Sequence, residues 1–223
     1  MKFITEKYYK FQIQHLKIIL EYVSKYQVLH KYIPNDAIQL VEVLLDKYAF
    51  HLIIKNNRKT KHGDFRPLQN GRFQITINND LNSYRFLITL VHEVAHLVTH
   101  QKYKNNRIRI KPHGIEWKMN FQHLMLPFLK TVIFPKELLP ILANYLRNPK
   151  ASTDSDIKLS FALKQYDEKS NKNYIFEIPL QSKFLHNNRI FIKGEKRRIR
   201  YKCIEIRTKK EYLFHPNAEV DLI

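Results

Sequence analysis

Glycine and cysteine are both scarce in this chain. Only Gly63, Gly71, Gly114 and Gly194 occur in 223 residues. Their spacing allows neither G-x-G-x-x-G nor G-x-x-x-x-G-K-[ST], which excludes the phosphate-cradling loops built on those patterns. No serine sits in a G-x-S-x-G elbow. The single cysteine, Cys203, excludes an internal disulfide framework and any Cys-rich zinc module. Cys203 alternates with Tyr201 and Glu205 and is expected to be a buried core thiol. Long apolar runs are also missing. The most apolar stretch, Leu124 to Pro135, is short and carries Lys130, so it cannot span a bilayer. The opening MKFITEKYYKFQ has no apolar segment of the kind a secretory signal needs, and an intracellular, cytoplasmic protein is expected. Acid is the scarcer sign: 20 Asp and Glu face 39 Lys and Arg, a net charge of +19. Such a surface attracts nucleic acid, anionic lipid or acidic protein.

Hydrophobic residues make up 44% of the chain, enough for a sizeable core. Residues 11–30 carry Phe11, Ile13, Leu16, Ile19, Leu20 and Val23 near helical spacing. A second helix follows Pro34, with Asn35 or Asp36 as its cap. Two or three strands are expected between 50 and 79. In 72–78, Phe73, Ile75 and Ile77 share one face, and that strand reads as edge-like. Asn82 or Ser83 caps a helix running to about Lys102 that is apolar nearly all round, which marks it as buried. Further helices are expected over roughly 115–130, 135–147 and 159–166. Residues 148–157, rich in Pro, Ser and Asp, read as a linker. β-like runs then cover Tyr174–Ile178, Arg189–Ile192, Arg200–Ile206, Tyr212–Phe214 and Ala218–Leu222. The expected fold is α+β. Helices pack around a small three-stranded sheet over 1–147, and a small, mainly β, basic module occupies 158–223.

The buried helix contains an anomaly. His92-Glu93-Val94-Ala95-His96 places two imidazoles and a carboxylate inside an apolar run. Residues i and i+4 lie about 40° apart around a helix and about 6 Å along it, so both imidazoles can reach one metal ion. Glu93, about 100° round from His92, can stand beside a metal-bound water as the base of a hydrolytic reaction. Burial without a partner is costly for such groups, so they need a reason to be there. A hydrolytic zinc site needs a third protein ligand. His100 continues the row but lies about 12 Å along the axis from His92 and about 80° round. His113, at the start of the next helix, can fold back over the metal and is the better placed.

The segment TLVHEVAHLVTH, followed by Lys-Pro-His113-Gly114-Ile115-Glu116-Trp117, resembles the SprT-like zinc metalloproteases, which include the Spartan proteases. The matching positions are His92, Glu93, His96, His113, Gly114 and Trp117. The stretch from Arg58 to Arg66 and the strand 72–78 are similar to what such proteins place before the metal helix, and the resemblance covers roughly residues 35 to 130. It implies one zinc held by His92, His96 and His113, Glu93 as the catalytic base, and peptide-bond hydrolysis. Spartan members act on proteins crosslinked to DNA and are stimulated by DNA. Many bacterial relatives end in a four-Cys zinc ribbon. Here only Cys203 is present, so the tail reads as a degenerate ribbon or a β module without metal.

Tyr103 and Arg107 are candidate oxyanion donors, and Glu116 is a candidate acceptor behind a ligand imidazole. Trp117 is expected to pack beneath the His113 turn. Lys102, Lys104, Arg107, Arg109 and Lys111 form a basic loop without acid beside the site. In the tail, Arg197, Arg198 and Arg200 are candidate phosphate contacts, with Phe191 and Tyr201 as rings for base stacking. DNA, single-stranded or exposed, is therefore an expected partner, alongside protein substrates. The rival reading is a nucleic-acid-binding protein with a structural zinc and no proteolysis. Nothing in the helices reads as a membrane-lying amphipath.

Overall fold

The computed structural model describes residues 27–58, 60–105, 110–168 and 172–223. The expected helix over 11–30 falls almost wholly outside them. No helix among the described residues is long and apolar enough to cross a membrane. The chain divides into two compact units between Leu139 and Pro140.

In the first unit, helix α1 (Ile38–Tyr48) follows a 3-10 turn at Asn35–Ala37. The turn takes the place of the expected Asn35 or Asp36 cap: the residue before α1 is Ala37, and no side chain caps the helix. Strands β1 (Phe50–Lys55), β2 (Gly63–Pro67) and β3 (Phe73–Asn78) form a three-stranded sheet in the order β1-β3-β2. β3 is therefore the central strand, not the edge strand that its alternation suggested. β1 pairs with it in parallel, from Phe50 opposite Phe73 to Lys55 opposite Asn78, and β2 pairs antiparallel on its other side. Its burial follows, with Ile75 and Ile77 fully inaccessible.

The loop between β1 and β2 is stitched to β3 by buried polar groups. Arg58 Nε donates to Asn78 Oδ1 at 2.8 Å, and Arg58 Nη1 donates to Thr76 Oγ1 at 2.9 Å. Asn78 Nδ2 returns a bond to the Lys61 carbonyl at 2.9 Å. Asn78 is 1% exposed, so each of its polar atoms needs such a partner.

Helix α2 (Ser83–Tyr103) begins where expected, and the Asn82 side chain accepts from the Arg85 amide. From Arg85 to Thr99 every residue is buried except His96. Helix α3 (Ile115–Met125) packs against α2 and gives way to a 3-10 turn at Leu126–Phe128, short of the expected end near 130. Helix α4 (Leu138–Leu146) carries the division between the units in its first turn.

In the second unit, residues 148–157 hold a 3-10 turn at Thr153–Ser155, and Asp156 caps helix α5 (Ile157–Lys164). A six-stranded antiparallel sheet follows, in the order β4-β9-β5-β6-β7-β8. Its strands are β4 (Asn173–Tyr174), β5 (Lys183–His186), β6 (Arg189–Arg197), β7 (Arg200–Glu205), β8 (Glu211–Phe214) and β9 (Glu219–Leu222). β5 was not expected, and of the run 174–178 only Tyr174 joins the sheet. Ile175, Ile178, Phe184, Phe191, Cys203 and Val220 form its core. Cys203 is a free thiol with no exposure, as its alternation implied.

Candidate metal centre

Three Nε2 atoms meet in the first unit. His96 Nε2 lies 3.2 Å from that of His92 and 3.0 Å from that of His113, and the third edge is 3.3 Å. Helical spacing explains the first pair. The third ring arrives because the Gly114 turn starts α3 directly behind His113, with the Gly114 amide bonded to the Lys111 carbonyl at 2.9 Å. His100, the rejected candidate, turns elsewhere: its ring lies 5.8 Å from Phe65 and 5.9 Å from Phe73.

The triangle fits a metal ion better than it fits hydrogen bonds. A neutral imidazole offers either one N–H or one lone pair at Nε2. Among three such atoms at least two are alike, so one edge always sets two lone pairs or two hydrogens against each other. Three lone pairs directed at one cation remove the conflict. A tetrahedral ion with bonds of about 2.0–2.1 Å needs its nitrogens roughly 3.3 Å apart, and the edges of the triangle come close to that. The rings are also held neutral, as ligands must be. Burial pushes the His92 pKa well below its ordinary value, helped by the nearby His96 and His113. Burial, with His113 beside it, takes that of His96 down to about 4. The more open His113 is lowered by burial too.

Trp117 forms the floor. It is fully buried, and its ring centroid lies 4.6, 5.3 and 4.7 Å from those of His92, His96 and His113. Its indole N–H donates to the His92 carbonyl at 3.4 Å. The sequence placed Trp117 under His113 alone; its ring touches all three imidazoles. A second brace joins α2 to α3: Asn120 Nδ2 donates to Thr99 Oγ1, and Lys102 Nζ donates to Asn120 Oδ1, both at 2.9 Å.

Glu93 is 6% exposed and meets strand β2. Burial pushes its carboxyl up to about 8, and the Asp64 carboxylate adds to this. The Phe65 amide donates to the carboxylate and, with the cations of Arg58 and Lys61, pulls the other way. Gly63 makes the approach possible: a Cβ at this position would lie 2.7 Å from Glu93 Oε1 and 2.8 Å from Thr89 Cγ2. The sequence reading missed both β2 contacts, although Gly63 and Phe65 stand in the R-x-T-K-x-G-D-F-R stretch.

The remaining candidates are spread out. Tyr103, Lys104 and Lys111 line a cavity beside His96. Glu116 turns back toward its own helix start, where a Cβ on Gly114 would lie 3.0 Å from its Oε2. Arg107 and Arg109 lie outside the described residues. Arg197, Arg198 and Arg200 are exposed on the tight turn joining β6 and β7, where Arg198 takes a left-handed φ of 57°. Phe191 is 2% exposed, so its ring is closed to a base, and Tyr201 is half-buried against the same core. No family model, curated protein or solved structure matches the chain.

Proposed function

We propose that the chain is a zinc-dependent metalloprotease of SprT-like type acting on DNA-associated or DNA-crosslinked proteins. The observation that carries this reading is the triangle of His92, His96 and His113 Nε2 atoms, 3.0–3.3 Å on a side, with the buried Glu93 next in sequence to His92. Zinc held there supplies a Lewis acid that polarises a carbonyl oxygen and acidifies water, and its charge favours the ionised Glu93 carboxylate. The chain's own residues do the rest. The three imidazoles hold the ion through Nε2, and Trp117 fixes their planes from below. A Glu93 carboxylate oxygen takes the proton from the attacking water and returns it to the amide nitrogen of the departing strand. The Phe65 amide keeps that carboxylate in place. A purely structural zinc site has no use for such a base.

The DNA part of the reading rests on charge: +19 overall, with Arg197, Arg198 and Arg200 exposed on one turn. These groups suit phosphates, while of the two candidate stacking rings Phe191 is buried and Tyr201 half-buried. The deciding experiment compares the zinc-loaded parent with Glu93→Gln on a DNA-bound protein substrate, with and without DNA. The variant is expected to keep its zinc and lose about 10²–10⁴ in rate. Equal rates overturn the mechanism. No cleavage by either, with one zinc bound, favours the structural-zinc reading.

A further inference from the structure

A cavity of about 340 Å³ opens beside His96. It stands at the lower end of the roughly 300–1,000 Å³ typical of small-molecule sites, room for one large side chain. Phe65 of β2 forms one wall, Tyr103 of α2 another, and Ile110 closes it from the loop before α3; Trp117, the floor of the histidine cluster, is shared with it. These walls are largely aromatic, while Thr99 and His100 add polar atoms to the lining. Phe65 is itself held, with ring centroids 6.0 Å from Phe73 and 5.8 Å from His100, so the wall is formed before anything enters. Charge in the lining has one sign. Its charged residues, Lys104 and Lys111, are both basic, and no acid is among the described lining residues. An entering lysine or arginine meets two basic residues and, among the described lining residues, no acid, which is how a site rejects a competitor.

We infer that this cavity is a subsite for a large neutral apolar side chain, aromatic foremost, and that Lys104 and Lys111 exclude basic side chains from it. The inference rests on the peptidase reading for its occupant, a polypeptide lying across the three histidines. It adds a chemical preference that the metal site alone does not supply, since zinc and a base act on any peptide bond.

The chain has one tryptophan, so the Trp117 indole N–H gives a single resonance next to the cavity. The zinc-loaded full chain is titrated, without DNA, with the N-acetyl amides of phenylalanine, glycine and lysine. The phenylalanine probe is expected to shift the resonance saturably and to bind at least about tenfold tighter than either other probe. Lys111→Glu, a change on a loop, should strengthen the lysine probe, and Ile110→Asp should weaken the phenylalanine probe. Equal response to the three probes, or a lysine probe that binds no tighter in Lys111→Glu, overturns the subsite. Cleavage-site mapping on a peptide mixture separates the two readings. Selective probe binding without any cleavage supports the subsite and removes the peptidase. Cleavage without side-chain preference keeps the peptidase and removes the subsite.

Discussion

The C-terminal sheet and the histidine cluster of the first unit both bury polar groups, and they satisfy them in opposite ways. In the C-terminal sheet the two buried charged groups, Glu205 and Lys193, have protein partners. Glu205, 2% exposed, receives both arms of the Arg189 guanidinium at 2.7 Å and the Thr208 hydroxyl. Lys193, 3% exposed, donates to the Ile178 carbonyl at 2.6 Å and lies 4.2 Å from the Tyr201 ring centroid. The Arg189 guanidinium in turn lies over the Phe191 and Tyr212 rings, at 5.2 and 4.6 Å. At the histidine cluster the imidazoles of His92 and His96 on α2 and of His113 before α3 have mainly one another, in a triangle that hydrogen alone cannot satisfy. Paired burial builds a fold. Unpaired burial of neutral donors leaves a cost that a cation removes.

The strongest way to break this comparison is to delete one member of the triangle. His96→Ala should abolish stoichiometric zinc, read by elemental mass spectrometry on the tag-free chain. Zinc at 100 times its Kd should stabilise the parent by about 2.7 kcal/mol, seen as a higher melting temperature that a chelator reverses. The variant should show no such rise. Without metal, it should melt no earlier than the metal-free parent, because a half-buried, poorly satisfied group has been removed. Retained zinc, or a metal-free variant that unfolds much earlier, would mean that the histidines are structural.

A smaller effect sharpens the other side. Phe191 stacks on Phe184 at 5.5 Å and meets Phe214 at 5.0 Å in the sheet core. Phe191→Ala should cost about 3–5 kcal/mol, measured by denaturant unfolding. Zinc stoichiometry in native buffer should stay at that of the parent. Loss of zinc in step with the sheet would show that the two units do not keep separate accounts of stability.

What the sequence made legible follows from how local each feature is. The spacing of His92, Glu93 and His96 is fixed within five residues of one helix, and the apolar run around them declared that helix buried. His113 was reachable because the alternative, His100, fails on helical geometry. β3 was misjudged as an edge because its place depends on a parallel partner, β1, whose register with it no local pattern encodes. β5 was missed because Lys-Phe-Leu-His is short and carries only two apolar residues. The Phe65 amide on Glu93 and the Arg189 fork on Glu205 join residues 28 and 16 positions apart. Nothing in composition or period marks either pair. The cavity beside His96 was equally hidden, because its walls come from β2, α2, the following loop and α3.

The smallest effect concerns acid. The Arg189 fork, the Thr208 hydroxyl and the nearby cations hold the Glu205 carboxyl down at about 2, against an ordinary value of 4.5. A carboxylate whose pKa is lowered by folding stabilises the folded state at every pH above the unfolded value. That contribution is complete above about 4.5 and fades as the pH falls toward 2. The C-terminal sheet should therefore lose stability progressively below pH 4.5, followed by near-ultraviolet circular dichroism of its Tyr and Phe rings. Glu205→Gln, which keeps the shape and removes the charge, should be less stable at neutral pH and flatten the profile in that window. An unchanged slope in the variant would show that other carboxylates govern the acid limb. The half-buried ion pair would then be only one of several contributors, and the contrast with the histidine triangle would rest on Lys193 and the ring contacts alone.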